Sequence, residues 1–151
     1  WARSRSSFQA GMMTLEALFR EGLGLLDSTL LPHGFAHLPR ETGSGSGGPF
    51  VRGGYAKDGR RLELSLRHAL GGVVYHLDEA EMSHEQYMRR LLAGRRGNLY
   101  PGFSAHPLDG FRHLRHDLDR FAWDFVQGSG DEFRRLAALA DDAPRLPGAS
   151  R

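Results

Sequence analysis

Histidine and carboxylate side chains four positions apart are the first chemistry visible in this sequence. His113 and Asp117 share one helical face, as do Arg120 and Asp124, giving a stripe of His, Asp, Arg and Asp down one polar side. That spacing suits chelation, but a metal centre needs a third ligand, here from among His76, His84, His106 and His116. No H-E-x-x-H segment is present. Pairing along a helix surface, worth roughly a few tenths of a kcal/mol per pair, accounts for the stripe without an ion. No metal and no cofactor is therefore expected, with His113 and Asp117 the residues that would have to ligate one. Gly43, Gly45 and Gly48 match G-x-G-x-x-G by spacing, yet Pro49-Phe50-Val51 leads on into a strand where a dinucleotide site needs a helix N-terminus. Ser44 and Ser46 lie in that same glycine-rich stretch with no nearby base, and there is no G-x-S-x-G elbow.

A more informative set comes from strand pairing. Asp58-Gly59 separates the runs 50–57 and 60–70, and Gly71-Gly72 separates the second run from 73–78. Both dipeptides are two-residue hairpin chemistry. The first turn sets Tyr55 opposite Leu62, Gly53 opposite Leu64 and Val51 opposite Leu66. The second sets Leu66 opposite Leu77, His68 opposite Tyr75 and Leu70 opposite Val73. Both registers collect the apolar residues on one face, and a one-residue slip would destroy that agreement. A single long strand bent by a glycine bulge at Gly71-Gly72 is the alternative. The opposite face then carries Arg52, Ser65 and Asp78 in one cross-strand row and Phe50, Arg67 and His76 in the next, with Glu63 beyond. Such neighbours sit about 5 Å apart and interact.

The elements that must position this face follow from periodicity and capping. Phe8, Met12, Leu15, Phe19, Leu26 and Leu30 recur at helical intervals, weakened by Gly22 and Gly24 and stopped by Pro32 and Gly34. Residues 34–40 read as a short edge strand ending at Pro39, and Gly-Ser-rich 41–49 as a flexible loop. Ser83 with Gln86 forms a capping box that opens a helix ending near Gly94. Phe111, Leu114, Leu118, Phe121 and Phe125 make one apolar stripe along a helix from 110 to 127. Ser129 with Glu132 caps a last helix with Phe133, Leu136 and Leu139 inward. The fold class is α+β: an N-terminal helix, an antiparallel meander of three to four strands, and three C-terminal helices packed on one sheet face. The core should include Leu15, Phe19, Val51, Tyr55, Leu62, Leu64, Leu66, Tyr75, Leu77, Leu114, Leu118, Phe121 and Phe125. Residues 1–7 read as a disordered extension, 8–142 as one domain and 143–151 as a flexible tail.

Composition narrows the function classes. The chain has 151 residues, 40% hydrophobic and 25% charged, as a soluble globule does. Its apolar runs are broken by Glu16, Arg20 and Asp27, short of the ~20 residues that cross a bilayer. With no cysteine, disulfides, thiol nucleophiles and thiolate zinc sites are excluded. The net charge is only +2, and Lys57 is the one lysine among twenty basic residues. Arg89, Arg90, Arg95 and Arg96 form a single basic cluster behind Asp78, Glu79, Glu81 and Glu85, an order that a helix dipole favours without any ligand. A nucleic-acid partner is therefore not expected. A cytoplasmic location in a bacterium is the default expectation.

The segments Arg61-Leu62-Glu63-Leu64, Arg67-His68-Ala69-Leu70-Gly71, Val74-Tyr75-His76, Ser83-His84-Glu85 and Tyr87-Met88 resemble those of small bacterial proteins from high-GC genomes. Tyr100-Pro101-Gly102-Phe103 and Pro107-Leu108-Asp109-Gly110-Phe111 extend the likeness. It implies no activity and no catalytic residues. At the level of fold, a strand meander between helices is similar to bacterial immunity-type and other small interaction proteins.

The functional expectation is a small non-catalytic interaction module that binds a protein partner or a small polar ligand through Arg52, Glu63, Ser65, Arg67, His76 and Asp78. The competing reading is an enzyme acting on a small polar or anionic substrate at that face. In it Arg67 clamps charge, His76 serves as acid or base, and Glu63 or Asp78 orients it. The enzyme would enclose Arg67 and His76 in a pocket of about 300 Å³ or more, whereas the module would present them on a broad shallow surface.

Overall fold

In the computed structural model, residues 14–102 and 104–139 are described. The expected extension at 1–7, the helical positions Phe8 and Met12, and the tail at 143–151 lie outside them. Helix α1 spans Leu15–Leu30, with the Thr14 hydroxyl accepting from the Ala17 amide at 3.0 Å to cap it. A 3-10 turn at Leu31–His33 leads to β1 (Ala36–His37) and β2 (Glu41–Gly45). Then come β3 (Gly48–Lys57), β4 (Arg60–Leu66), β5 (Leu70–Leu77) and β6 (Ala80–Ser83). The chain closes with α2 (His84–Leu92), α3 (Asp109–Arg120), α4 (Trp123–Val126) and α5 (Asp131–Ala137).

The architecture is α+β, and its antiparallel sheet has six strands rather than three or four. The spatial order is β1-β3-β4-β5-β6, with β2 also paired to β3. The β1 and β2 strands share one edge of β3: β1 takes Tyr55 and Ala56, while β2 takes positions 48–52. The stretch 41–49, expected as a loop, thus forms a hairpin. Its glycines serve a tight turn, with Gly48 at φ +96°, and leave room for the Phe50 ring, which lies where a Cβ on Gly43 would sit. Strand β6 pairs with β5 through Val74–Ser83, Tyr75–Met82, His76–Glu81 and Leu77–Ala80.

The first hairpin has the expected register, with Val51, Gly53 and Tyr55 opposite Leu66, Leu64 and Leu62. The second does not. Its turn is at 67–69, so Tyr75 lies opposite Leu62 instead of His68, and Gly71-Gly72 falls inside β5 with neither a turn nor the bend of a single long strand there. The one irregularity lies between Ser65 and Leu66. This displacement of six residues is even, so the alternation of faces survives it. Tyr55, Leu62, Leu64, Leu66, Val73, Tyr75 and Leu77 are all buried. Leu15 and Phe121 are only partly buried, while the other expected core residues are fully inside.

Helices supply the other half of the core. Phe19 packs edge-on to Phe111, and Tyr75 meets Tyr87, Phe125 and Phe133 with ring centroids 4.9–6.1 Å apart. Gly22 lets α1 approach α3, for a Cβ there would fall 2.5 Å from the Phe111 ring. The long helix expected over 110–127 is broken at Phe121-Ala122. The break turns Asp124 inward, where its carboxylate accepts from the Gly130 and Phe133 amides at 3.2 and 2.9 Å and caps α5. Asp124 therefore serves neither the surface stripe nor a pair with Arg120. Ser129, expected to cap α5 with Glu132, only accepts from the Asp131 amide at 3.2 Å, and Leu139, expected inward with Phe133 and Leu136, is exposed because the helix ends at Ala137. The capping box of Ser83 and Gln86 forms as expected.

The β3–β4 tip ties these layers together. The Lys57 ammonium donates to the carbonyls of His33 and Val126 at 2.7 and 2.8 Å, and lies 4.9 Å from the centre of the Phe35 ring. Arg60 donates to the carbonyls of Phe125 and Gly128, both at 2.7 Å. Both cations thereby satisfy carbonyls in and beside α4 that the short helix leaves open.

Candidate functional site

The face of the sheet away from the helices carries the side chains that the alternation leaves outside. Arg52 lies opposite Ser65, which lies opposite Gly72; Gly54 lies opposite Glu63, which lies opposite Val74; and Arg61 lies opposite His76, which lies opposite Glu81. Gly53, Ser65, Gly72 and Val74, with little side chain among them, make the middle of this face a depression. Gly54 is obligatory: at φ +141° a Cβ would lie 1.9 Å from the Leu62 carbonyl oxygen. The segment between β1 and β2 forms a wall, held by the Leu38 amide donating to the Gly54 carbonyl at 2.8 Å. The result is a cavity of about 660 Å³ whose walls include Leu38, Pro39, Arg40, Arg52, Arg61 and Glu63. Its size lies in the range of small-molecule sites.

Charges run from the cavity along the sheet. Glu63 holds Arg61 Nε at 3.0 Å through one carboxylate oxygen and His76 Nε2 at 2.9 Å through the other. His76 Nδ1 is 3.7 Å from Glu81. Arg52 is 3.7 Å from Glu41, and its guanidinium carbon stands 4.5 Å from the centre of the Phe50 ring. Arg67 approaches the same ring at 5.3 Å while donating to the Gly48 carbonyl at 2.8 Å.

Of the expected set, Arg52, Glu63 and Ser65 line the cavity, and His76 joins them through Glu63. Arg67 and Asp78 do not. Arg67 occupies the 67–69 turn instead of a strand position beside His76, and Asp78 occupies the β5–β6 turn at φ 54°. There Asp78 pairs with Arg134 at 3.1 Å, and its amide donates to the Gly59 carbonyl at 2.8 Å. The expected row of Arg52, Ser65 and Asp78 therefore ends in Gly72, and the row of Phe50, Arg67 and His76 loses His76. Both corrections follow from the displaced second hairpin. Arg61, Glu81 and the wall residue Arg40 enter the site in their place.

The wall depends on a cluster that sequence reasoning missed. His37 of β1 contacts the Asp27 carboxylate of α1 at 2.8 Å, and the single proton of the Tyr55 hydroxyl is shared between Asp27 and the Leu23 carbonyl, 2.7 and 2.9 Å away. These bonds fasten the two-residue strand β1 to the helix layer, so the chain that follows it is fixed over the cavity. Burial pushes the Tyr55 hydroxyl far above its ordinary pKa, and the Asp27 hydrogen bond adds to that, so it remains a donor.

On the other side of the sheet lies a second histidine–carboxylate pair. The Tyr75 hydroxyl is 2.7 Å from His84 Nδ1, and His84 Nε2 is 2.8 Å from Asp117. All three residues are fully buried. Donors and acceptors match when Tyr75 donates to Nδ1 and the Nε2–H donates to the carboxylate. Asp117 also accepts from the amides of Leu99 and Tyr100 at 2.7 and 2.9 Å, and lies 2.8 Å from His116 Nδ1. Burial pushes the Asp117 carboxyl up, but the hydrogen bonds from His84, Leu99, His116 and Tyr100 outweigh it and hold the group below its ordinary value. Asp117 thus leaves the expected surface stripe, and it does not join His113, whose Nδ1 is buried without a hydrogen-bond partner among the described residues. With Tyr75, His84 and Asp117 sealed and His116 partly exposed at its margin, this network anchors the 99–100 loop to α2 and α3.

Among the described residues no group of three or more His, Asp or Glu side chains is arranged to hold a metal ion. None of the helices there is long and apolar enough to cross a membrane. The basic cluster lies in the last turn of α2 and just beyond it, with Arg90 donating to the Leu136 carbonyl and the exposed Arg95 to the Leu92 carbonyl at 3.0 and 3.1 Å. No protein-family model matches the chain, and neither a curated protein nor a solved structure matches it.

Proposed function

We propose that this chain is a small non-catalytic binding module that recognises its ligand in the depression of the uncovered sheet face. The observation that carries this reading is the cavity of about 660 Å³, floored by small residues and rimmed by Arg40, Arg52, Arg61 and Glu63. Such a mixture of apolar floor and charged rim orients a polar ligand and shields part of it from water. The one hydroxyl in its lining, that of Ser65, has no hydrogen-bonded base among the described residues, which favours binding over turnover. The hollow has the size expected of an enzyme's pocket but does not enclose Arg67 or His76, and its form favours a compact ligand or one protruding group of a partner over a flat protein interface.

A second reading has one specific observation in its favour. His76 and Glu63 form a hydrogen-bonded pair at 2.9 Å with His76 still about one-fifth exposed, and Glu63 reaches the cavity. That is the geometry of an oriented general base. One experiment separates the two. Amide spectra of the isotopically labelled protein are recorded against a library of small polar compounds while the compounds' own signals are followed. Binding predicts shifts at Gly53, Ser65, Gly72 and Val74 with every compound unchanged over hours. New product signals that vanish in His76→Ala would replace the module with an enzyme, and shifts confined to other surfaces would remove the site altogether.

A further inference from the structure

The charges around the cavity do not cancel, and the imbalance specifies a ligand. Three guanidinium groups, of Arg40, Arg52 and Arg61, share its wall with the two carboxylates of Glu41 and Glu63. Arg61 is 3.0 Å from Glu63 and Arg52 is 3.7 Å from Glu41. Arg40 has neither an ion pair nor a hydrogen bond among the described residues. The lining thus carries one positive charge in excess. A ligand with two negative charges would face Glu41 and Glu63 at close range, and a cation would be repelled by Arg40.

Apart from the Ser65 hydroxyl, the remaining surface is apolar or bare backbone. Leu38 and Pro39 supply one wall, Val74 lies on the floor, and Gly53 and Gly72 add no side chain. A hydrocarbon body can rest there while an anionic end meets the guanidinium fork of Arg40, which suits the two oxygens of a carboxylate. From these features we infer that the cavity binds a small monocarboxylic acid with a short apolar body, its carboxylate paired to Arg40. The inference rests on the binding reading above and names the ligand class for that same cavity. The finite volume selects a free small molecule over an acidic protein surface.

Hexanoate, hexylammonium and a blocked tetrapeptide containing one glutamate are the probes, each titrated into the labelled 151-residue protein. Hexanoate should move the amide signals of Gly53, Ser65, Gly72 and Val74 at saturable concentration, and hexylammonium should not. Arg40 is exposed, so Arg40→Gln should keep the folded spectrum while weakening hexanoate by about tenfold, the effect of losing one charge-assisted pair. Val74→Phe, which fills the floor from the solvent side, should abolish the shifts. Hexylammonium binding as tightly as hexanoate would overturn the inference, and so would an Arg40→Gln affinity equal to that of the parent. Tighter binding of the peptide would assign the cavity to an acidic segment of a protein and overturn it likewise. If other compounds shift the cavity amides and hexanoate does not, the carboxylate assignment fails while the binding module stands. If no compound reaches them, the module itself fails.

Discussion

The two faces of the sheet each carry a histidine bonded to a carboxylate, and the two pairs have nearly the same length. His84 meets Asp117 at 2.8 Å and His76 meets Glu63 at 2.9 Å. Their surroundings are opposite. Both members of the first pair are wholly buried, whereas Glu63 is nearly half exposed. In the interior, water cannot replace a lost partner, so the Asp117 carboxylate stands or falls with the His84 ring and the Tyr100 amide bonded to it. On the open face water competes for every bond, and the pair contributes little to stability. Hydrogen-bond length therefore says nothing about which pair holds the fold and which is free to meet a ligand.

That contrast can be broken by substitution. Asp117→Ala should cost about 3 to 5 kcal/mol, because it leaves His84 and the amides of Leu99 and Tyr100 buried without their acceptor. Urea unfolding measures this, and a loss under 1 kcal/mol would mean that the sealed network is not an anchor. Gly54→Ala tests whether the open side has a rigid point of its own. With a Cβ 1.9 Å from the Leu62 oxygen, the strand must shift, at a cost of about 2 to 4 kcal/mol. An unchanged unfolding midpoint would show that β3 yields easily where it holds the cavity wall through Leu38.

Acidity distinguishes the two sides next. The Asp117 carboxyl titrates below its ordinary value in the folded protein, so its contribution to stability is complete above the unfolded value of about 4 and is lost as pH falls through the lower folded one. Denaturation curves at pH 6 and pH 3 should therefore differ more for the parent than for Asp117→Asn. Equal differences would remove Asp117 as the source. The smallest effect belongs to Glu63→Gln, which should change stability by no more than about 0.5 kcal/mol. A larger loss would show that the exposed cluster is structural and would weaken its reading as a binding face.

The sequence makes the two faces legible because strand alternation has a period of two and survives an even displacement. Arg52, Glu63, Ser65 and His76 keep their side of the sheet even though the second turn lies at 67–69 and not at Gly71-Gly72. Their neighbours along the face depend on the register itself, and Arg67 and Asp78 go to turns for that reason. Strand β2 is hidden because Glu41-Thr42-Gly43-Ser44-Gly45 has the composition of a linker, and only pairing with β3 gives it a conformation. The sealed network did leave a trace. Asp117 stands between Leu114 and Leu118 on the inward stripe of α3, a position where a carboxylate needs buried donors. Its spacing from His113 suggested a surface pair, whereas its spacing from Leu114 pointed inward.

The anchoring of Lys57 has a consequence for labelling. The chain has no other lysine, and this ammonium already donates to the His33 and Val126 carbonyls beneath the β3–β4 tip. Acylation removes two of its three protons and its charge, so the modified side chain cannot keep both bonds. Amine-directed reagents consequently find their only side-chain target in the clasp that fastens the sheet to the helices. The rate at which Lys57 is acylated becomes a clock for the opening of that clasp, readable by mass spectrometry from a single peptide without an engineered probe.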